Sequence, residues 1–216
     1  TGEGRFKLTL DIDEEGPHEL ILVFSKKGLA DRRLVYNINR KWTLFLDRDG
    51  VINERIINGY VMNNQDFVLK KNVLDAIQIF RPLFGRIVVV TNQQCVAKGL
   101  CSLETIQQVQ AYMESIFAQA GSPIDGVFFC PHRSSDNCNC RKPKIGLAQQ
   151  AKEKFPEIDF QNSIMVGDMP SDLQMGRNCG MKTVFVGEIT NENQSEIEEN
   201  ADFIFQDLYD FATQLK

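Results

Sequence analysis

Four short apolar runs, rich in β-branched residues, each end on a polar signal, and stretches with helical spacing separate them. Thr43–Leu46 runs into Asp47-Arg48-Asp49-Gly50, residues 87–90 into Thr91-Asn92-Gln93, residues 126–129 into Cys130, and residues 164–166 into Gly167-Asp168. Helical periodicity falls at 73–84, 103–120, 145–155 and 172–178, with another strand at 183–186, an edge strand at 203–205 and a closing helix at 208–215. Runs that are apolar throughout, and not merely at alternate positions, suit strands buried on both faces. That is the pattern of a parallel sheet with helices on either side. In open sheets of this kind ligands gather outside the carboxyl ends of the strands. The four signals are therefore expected to share one rim. The fold class predicted is α/β, a Rossmann-like parallel sheet covered on both faces, with a small N-terminal β segment.

Residues 1–40 follow another rhythm. Phe6, Leu8, Leu10 and Ile12 alternate with polar neighbours, Glu15-Gly16-Pro17 breaks the run, and residues 20–24 make a second strand. Lys26-Lys27-Gly28 turns the chain before Leu34, Tyr36 and Ile38 alternate again. A three-strand meander is marginal alone, so residues 1–40 are read as an accessory β unit and 41–216 as the main domain. The 216 residues carry 24 Lys and Arg against 29 Asp and Glu, a net charge of −5. That balance does not suit counterion-releasing contact with nucleic acid. No apolar run approaches the ~18 residues of a membrane span, so the expectation is a cytoplasmic monomer acting on a small molecule, with neither nucleic acid nor membrane as partner.

The rim residues carry chemistry. Asp47-x-Asp49-Gly50 is not a calcium loop, because Val51 stands where a fifth-position oxygen ligand is needed. A plain Asp/Gly turn is the bland alternative. Asp168 and Asp172 bring carboxylates to a second strand end, and acids converging without a metal raise one another's pKa. With Mg²⁺ they become an oxygen cage of the kind a hard cation uses. Lys142 is a point charge suited to phosphoryl oxygens and Arg141 a planar fork for bidentate contact, while Thr91 offers a hydroxyl. Cys130-Pro-His132, then Cys138-Asn-Cys140, gathers three of the six cysteines and one of the two histidines. Three thiolates and an imidazole are a frequent tetrahedral zinc set, and with all four positions filled such an ion is structural. Arg141 and Lys142 follow the last of these residues directly, so the loop at 130–140 would position both cations.

These residues resemble the haloacid dehalogenase superfamily of phosphotransferases. Asp47-Arg48-Asp49-Gly50-Val51 matches its first motif, Thr91-Asn92 the second, Lys142 the third and Gly167-Asp168-x-x-x-Asp172 the fourth. The resemblance covers residues 42–187 and implies the superfamily's fold without a large cap. It implies that Asp47 is a nucleophile forming an aspartyl-phosphate. Asp49 would protonate the leaving oxygen and then activate water. Mg²⁺ would sit on Asp47, Asp168 and the Asp49 carbonyl, and Lys142 and Thr91 would cradle the phosphoryl group, with Asp172 orienting Lys142 or the metal's surroundings.

A narrower set of residues resembles the D-glycero-D-manno-heptose 1,7-bisphosphate 7-phosphatases and their relatives, the histidinol-phosphate phosphatases. It comprises Asn53, Gly59-Tyr60-Val61, Thr91-Asn92-Gln93, Cys130-Pro-His132 and Cys140-Arg141-Lys142-Pro143. That resemblance implies Zn²⁺ on Cys130, His132, Cys138 and Cys140. It also implies substrate contact by Asn53, Gly59, Tyr60, Asn92, Gln93 and Arg141, and a phosphorylated sugar as substrate. Three departures are visible: two extra residues between Asn53 and Gly59, Gln94-Cys95 where Ser-Gly is common, and an N-terminal segment without counterpart. Histidinol phosphate as substrate, or a non-catalytic zinc-stabilised interaction module on a degenerate phosphatase fold, are the readings that compete.

Overall fold

The computed structural model describes three strands within residues 7–37 and all of residues 42–215. The three strands, β1 (Lys7–Asp11), β2 (Glu19–Phe24) and β3 (Arg32–Asn37), pair antiparallel in the order β1-β2-β3. Leu8 stands opposite Leu22 and Leu22 opposite Leu34, while Leu10 faces Leu20 and Leu20 faces Tyr36. The leucines of the three strands thus pair with one another in one register. Phe6, Ile12, Ile38 and the two expected turns lie outside the described residues.

The second sheet takes its strands from the alternating segment. In chain order the elements are β4 (Thr43–Leu46), α1 (Val73–Leu83), β5 (Arg86–Asn92), α2 (Leu103–Gln119) and β6 (Gly126–Cys130). Then come α3 (Gly146–Lys154), β7 (Ser163–Gly167), α4 (Pro170–Cys179), β8 (Lys182–Val186), α5 (Gln194–Asn200), β9 (Phe203–Phe205) and α6 (Leu208–Thr213). The order is β6-β5-β4-β7-β8-β9, every neighbouring pair parallel. The chain grows outward from β4 in one direction, then returns to its other side at β7. The strand order reverses there, and such a point opens a crevice at the carboxyl ends.

Both faces are packed, which is why the strands read as unbroken apolar runs. Leu44, Leu46, Ile87, Val89, Ile164 and Val166 enter one core with Ala76, Ile77 and Phe80 of α1, Val109, Met113 and Phe117 of α2, and Phe211 of α6. Phe45, Val88, Val90 and Met165 point the other way, onto Leu147, Ala148 and Ala151 of α3 and Met175 of α4. Burial of a residue of this size contributes about 1.5–3 kcal/mol.

Three of the boundaries that differ from the sequence expectation have a clear physical reason. Thr91, Asn92 and Cys130 are strand residues and not loop residues, because Asn92 pairs with Cys130 and the Gln93 N–H continues the ladder by donating to the Cys130 carbonyl at 2.7 Å. The helix expected from residue 172 begins at Pro170, where a proline costs no hydrogen bond. The Asp172 carboxylate caps it by accepting from the Met169 N–H at 3.1 Å.

Candidate active site

Asp47 emerges from the end of β4, the middle of the sheet, and is buried at the bottom of a cleft of about 200 Å³. Lys142 reaches it across 95 residues of sequence: its Nζ lies 2.6 Å from Asp47 Oδ1, 2.7 Å from Asp172 Oδ1 and 2.8 Å from the Val90 carbonyl. All three ammonium donors are used, so the cation is fixed as well as buried. Burial would discharge such a lysine, but Asp172 and Asp47 outweigh it and hold the ammonium charged. The backbone on either side is also clamped. Lys142 N–H donates to Asn92 Oδ1 at 3.1 Å and Asn92 Nδ2 donates to the Lys142 carbonyl at 3.3 Å.

Asp49, two residues on, is held differently. Arg48, fully buried, donates to both carboxylate oxygens through Nε and Nη2 at 2.9–3.1 Å. Asn53 Nδ2 adds a bond of 2.9 Å and Gln93 Nε2 one of 2.8 Å, the latter also reaching Thr91 Oγ1 at 2.9 Å. Burial acts to raise the Asp49 pKa, yet the charge of Arg48 and these donors outweigh it and lower it below the usual carboxylate value. Gly50 is required by this turn. Its φ is +97°, and a Cβ there would collide with the Asp168 carboxylate.

Asp168 faces Asp47 from the end of β7. Burial and then repulsion from Asp47 push its pKa up to about 6, against the pull of Arg55. Burial takes Asp172 up to about 7, against Lys142 and with repulsion from Asp47 and Asp168. Ligand oxygens of Asp47, Asp168 and Asp172 lie within 4.8 Å of one another. The cluster is an oxygen-only donor set short of positive charge, which fits a hard divalent cation. The Arg55 guanidinium already leans on it, donating to Asp168 at 2.7 and 3.0 Å and to the Asp49 carbonyl at 2.8 Å.

Cys130, at the end of β6, meets His132, Cys138 and Cys140 in a second cluster. Cys140 Sγ lies 3.2 Å from Cys130 Sγ and from His132 Nδ1, and 3.5 Å from Cys138 Sγ. Cys130 Sγ is 3.5 Å from Cys138 Sγ and 3.6 Å from His132 Nδ1. These separations are too long for a disulfide of about 2.05 Å. They approach the ~3.8 Å edge of a tetrahedron built on metal–sulfur bonds of about 2.3 Å, so the four groups fit a zinc ion. Burial pushes the Cys130 thiol far up. At Cys138 burial acts the same way, but the Arg141 N–H and the neighbouring thiols outweigh it and bring that group down to about 7. The last ligand candidate, Cys140, is followed at once by Arg141 and the clamped Lys142.

The cleft is walled by Asp47, Asp49, Thr91, Asn92, Arg141 and Lys142, with Gly59 and Tyr60 at its mouth. Lys98 Nζ braces Tyr60, 2.7 Å from its hydroxyl. Two expected substrate contacts sit elsewhere: Asn53 and Gln93 are buried behind Asp49, where their amides hold its carboxylate. Arg48 and Arg55 were missed by sequence reasoning. Arg55 gives no local signal, since a lone arginine in a polar loop looks solvated. Arg48, flanked by two acids, looks like a surface charge until its burial is seen.

Residues 139–211 match a family model described as HAD-hydrolase-like. The chain is 37% identical over 146 residues to the D-glycero-beta-D-manno-heptose-1,7-bisphosphate 7-phosphatase of Helicobacter pylori, covering 67% of this chain and 83% of that protein. It is 36% identical over 172 residues to the D-glycero-alpha-D-manno-heptose-1,7-bisphosphate 7-phosphatase of Mycobacterium tuberculosis, covering 80% and 90%. Among solved structures, D,D-heptose 1,7-bisphosphate phosphatase from B. bronchiseptica, complexed with magnesium and phosphate, superposes with a TM-score of 0.71 at 28% identity. That match covers 81% of this chain and 97% of the other.

Proposed function

The chain belongs to the haloacid dehalogenase-like hydrolases and is a hydrolase of phosphate esters, and from that premise we propose that it removes the 7-phosphate of a D-glycero-D-manno-heptose 1,7-bisphosphate through an aspartyl-phosphate on Asp47. The observation that carries the reading is the position of Asp47: a carboxylate at the floor of an open cleft, one oxygen fixed by Lys142 and the charge of Asp168 beside it. The substrate class is supported by the names of the relatives, which agree on the heptose bisphosphate and differ in the anomer.

In the first step Asp47 attacks phosphorus, the bond from phosphorus to the sugar oxygen breaks, and that oxygen takes a proton from Asp49. In the second step Asp49 accepts a proton from water, which attacks phosphorus and frees Asp47 and phosphate. The ionised Asp49 described above is in the form the second step needs, so to act as an acid it has to leave Arg48 and take up a proton. Asn53 and Gln93 are proposed to position this carboxylate. Thr91 and Asn92 are proposed to bind the phosphoryl oxygens and Lys142 to supply fixed positive charge beside them where charge develops, with Gly59, Tyr60 and Arg141 contacting the rest of the substrate. A magnesium ion held by Asp47, Asp168 and the Asp49 carbonyl would supply further positive charge against the transferring group. Zinc on Cys130, His132, Cys138 and Cys140 would hold the loop from which Arg141 and Lys142 project.

The test is phosphate release from heptose 1,7-bisphosphate and from histidinol phosphate, with and without Mg²⁺. The reading expects Mg²⁺-dependent turnover of the heptose substrate, preferred by about tenfold or more in kcat/KM, roughly 1.4 kcal/mol of discrimination. Equal efficiencies would favour a histidinol-phosphate phosphatase, and no turnover of any phosphate ester would sink the mechanism.

A further inference from the structure

Arg55 makes the contacts that the reading above assigns to the divalent cation. Its Nη2 lies 2.7 Å from Asp168 Oδ1, 2.8 Å from the Asp49 carbonyl and 3.9 Å from Asp47 Oδ2, and its Nε lies 3.0 Å from Asp168 Oδ2. Two of these three groups are carboxylates and the third is a backbone carbonyl, so a metal ion and the guanidinium compete for the same acceptors and repel each other beside them. The side chain is 42% exposed and rises from a loop whose tip, at Ile57, is 84% exposed. Gly59 N–H closes the tip on the Ile56 carbonyl at 3.1 Å, and Ile56, Gly59 and Tyr60 line the cleft mouth. Arg55 itself lines the cleft, so a guanidinium released from Asp168 starts beside a phosphate entering there.

We propose that Arg55 is an exchangeable counter-ion: it neutralises Asp47 and Asp168 in the metal-free protein, a divalent cation displaces it, and the freed guanidinium then binds the phosphate group entering the cleft. The inference rests on the metal site proposed above and adds a residue to it. The same positive charge serves both states. Before metal binding it offsets the repulsion between two carboxylates. Afterwards it presents a bidentate fork to phosphoryl oxygens beside the cation. Among the described residues Arg55 is the ion-pair partner of Asp168, and Lys142 acts on it only through its charge.

The experiment is a Mn²⁺ titration of metal-free protein by electron paramagnetic resonance, followed by inorganic phosphate binding at saturating Mg²⁺. The wild-type protein is compared with Arg55→Met and Arg55→Lys, each checked for fold by circular dichroism. Arg55→Met, which keeps the stem and loses the competing charge, is expected to bind Mn²⁺ about tenfold more tightly. It is also expected to bind phosphate about tenfold more weakly in the metal-loaded state. Arg55→Lys keeps the charge without the fork and is expected to fall between the two in both measurements. Unchanged or weaker Mn²⁺ binding by Arg55→Met overturns the displacement, and unchanged phosphate binding overturns the handover. If the wild-type protein itself binds no divalent cation, the metal site proposed above fails and takes this inference with it.

Discussion

Asp168 and Asp172 at one end of the parallel sheet and Asp125 at the other are held in opposite ways. At the carboxyl ends of β4 and β7, Asp168 and Asp172 crowd Asp47, and burial with mutual repulsion raises their pKa values to about 6 and about 7. At the other end, Asp125 stands before β6 between two arginines. Arg81 donates to it at 2.7 Å and Arg86 at 2.9 Å, and the Ile87 N–H donates at 2.7 Å. Burial raises this carboxyl, but those donors outweigh it and its pKa is lowered. One fold therefore carries a carboxylate that is satisfied and a set that is not. The unsatisfied set lines the cleft, where a group with perturbed affinity for protons or cations is chemically useful. The difference teaches that the rim is arranged for a ligand's charge and the opposite end for stability, and the two should separate under mutation.

The largest separation is expected at Asp47. Asp47→Asn keeps the size but removes the attacking oxygen anion, so turnover should fall by more than about 10³-fold. Stability should barely change, because the same substitution relieves Asp168 and Asp172 of a repelling neighbour while costing Lys142 a partner. A melting temperature within about 4 °C of wild type, about 1 kcal/mol for a domain of this size, is the expected result. A variant that retains several per cent of activity would refute the covalent step. One that loses both activity and fold would erase the contrast between the two ends.

The Cys/His cluster is the part of the rim expected to behave like the stable end. Cys138→Ser should lose zinc by elemental analysis and lower the melting temperature by about 6–12 °C, equivalent to about 3 kcal/mol. Removing Mg²⁺ with a chelator that spares zinc should instead abolish turnover reversibly and shift melting far less. If both ions proved equally important to melting, the division of labour would be wrong.

The sheet was legible because β4, β5 and β7 are apolar on both faces, a signal confined to a few consecutive residues. The Cys/His cluster was legible for the same reason, all four groups lying within 130–140 and closing on one another at 3.2–3.6 Å. Asp47 and Asp168 were legible as strand-end motifs, although only the reversal of strand order at β4 and β7 brings them together. Arg55 was not legible, because nothing in its neighbours says that a loop residue reaches Asp168 across 113 positions. The family resemblance implied substrate contact by Asn53 and Gln93. The turn at Gly50 carries Asn53 behind Asp49, and the end of β5, where the Gln93 N–H donates to the Cys130 carbonyl, carries Gln93 there, a matter of backbone direction that composition does not carry.

Arg141 sharpens the comparison within the rim. It lines the cleft, and its Nη1 lies only 3.4 Å from the His132 carbonyl, a weak tether that leaves most of its donors available. If it holds the phosphate remote from the reacting one, Arg141→Ala should lower kcat/KM for a heptose bisphosphate about tenfold, while a small monophosphate loses little. Equal losses on both substrates would place Arg141 at the reacting phosphate instead.

The smallest effect belongs to the satisfied end. Asp125→Asn should cost about 1–3 kcal/mol of stability at neutral pH, since two arginines lose their charged acceptor, and should leave kcat/KM unchanged. The pH dependence follows from the direction of the shift. A carboxyl whose folded pKa lies below its unfolded value of 3.8 contributes stability that is fully present above that value and is lost as pH falls through the folded one. The stability difference between wild type and Asp125→Asn should therefore be level from neutral pH down to about 5 and shrink below about 4. Denaturant unfolding of both proteins at pH 7, 5 and 3 measures it. A difference that grew toward acid, or a variant that lost activity in proportion to stability, would mean that the two ends of the sheet are not separable after all.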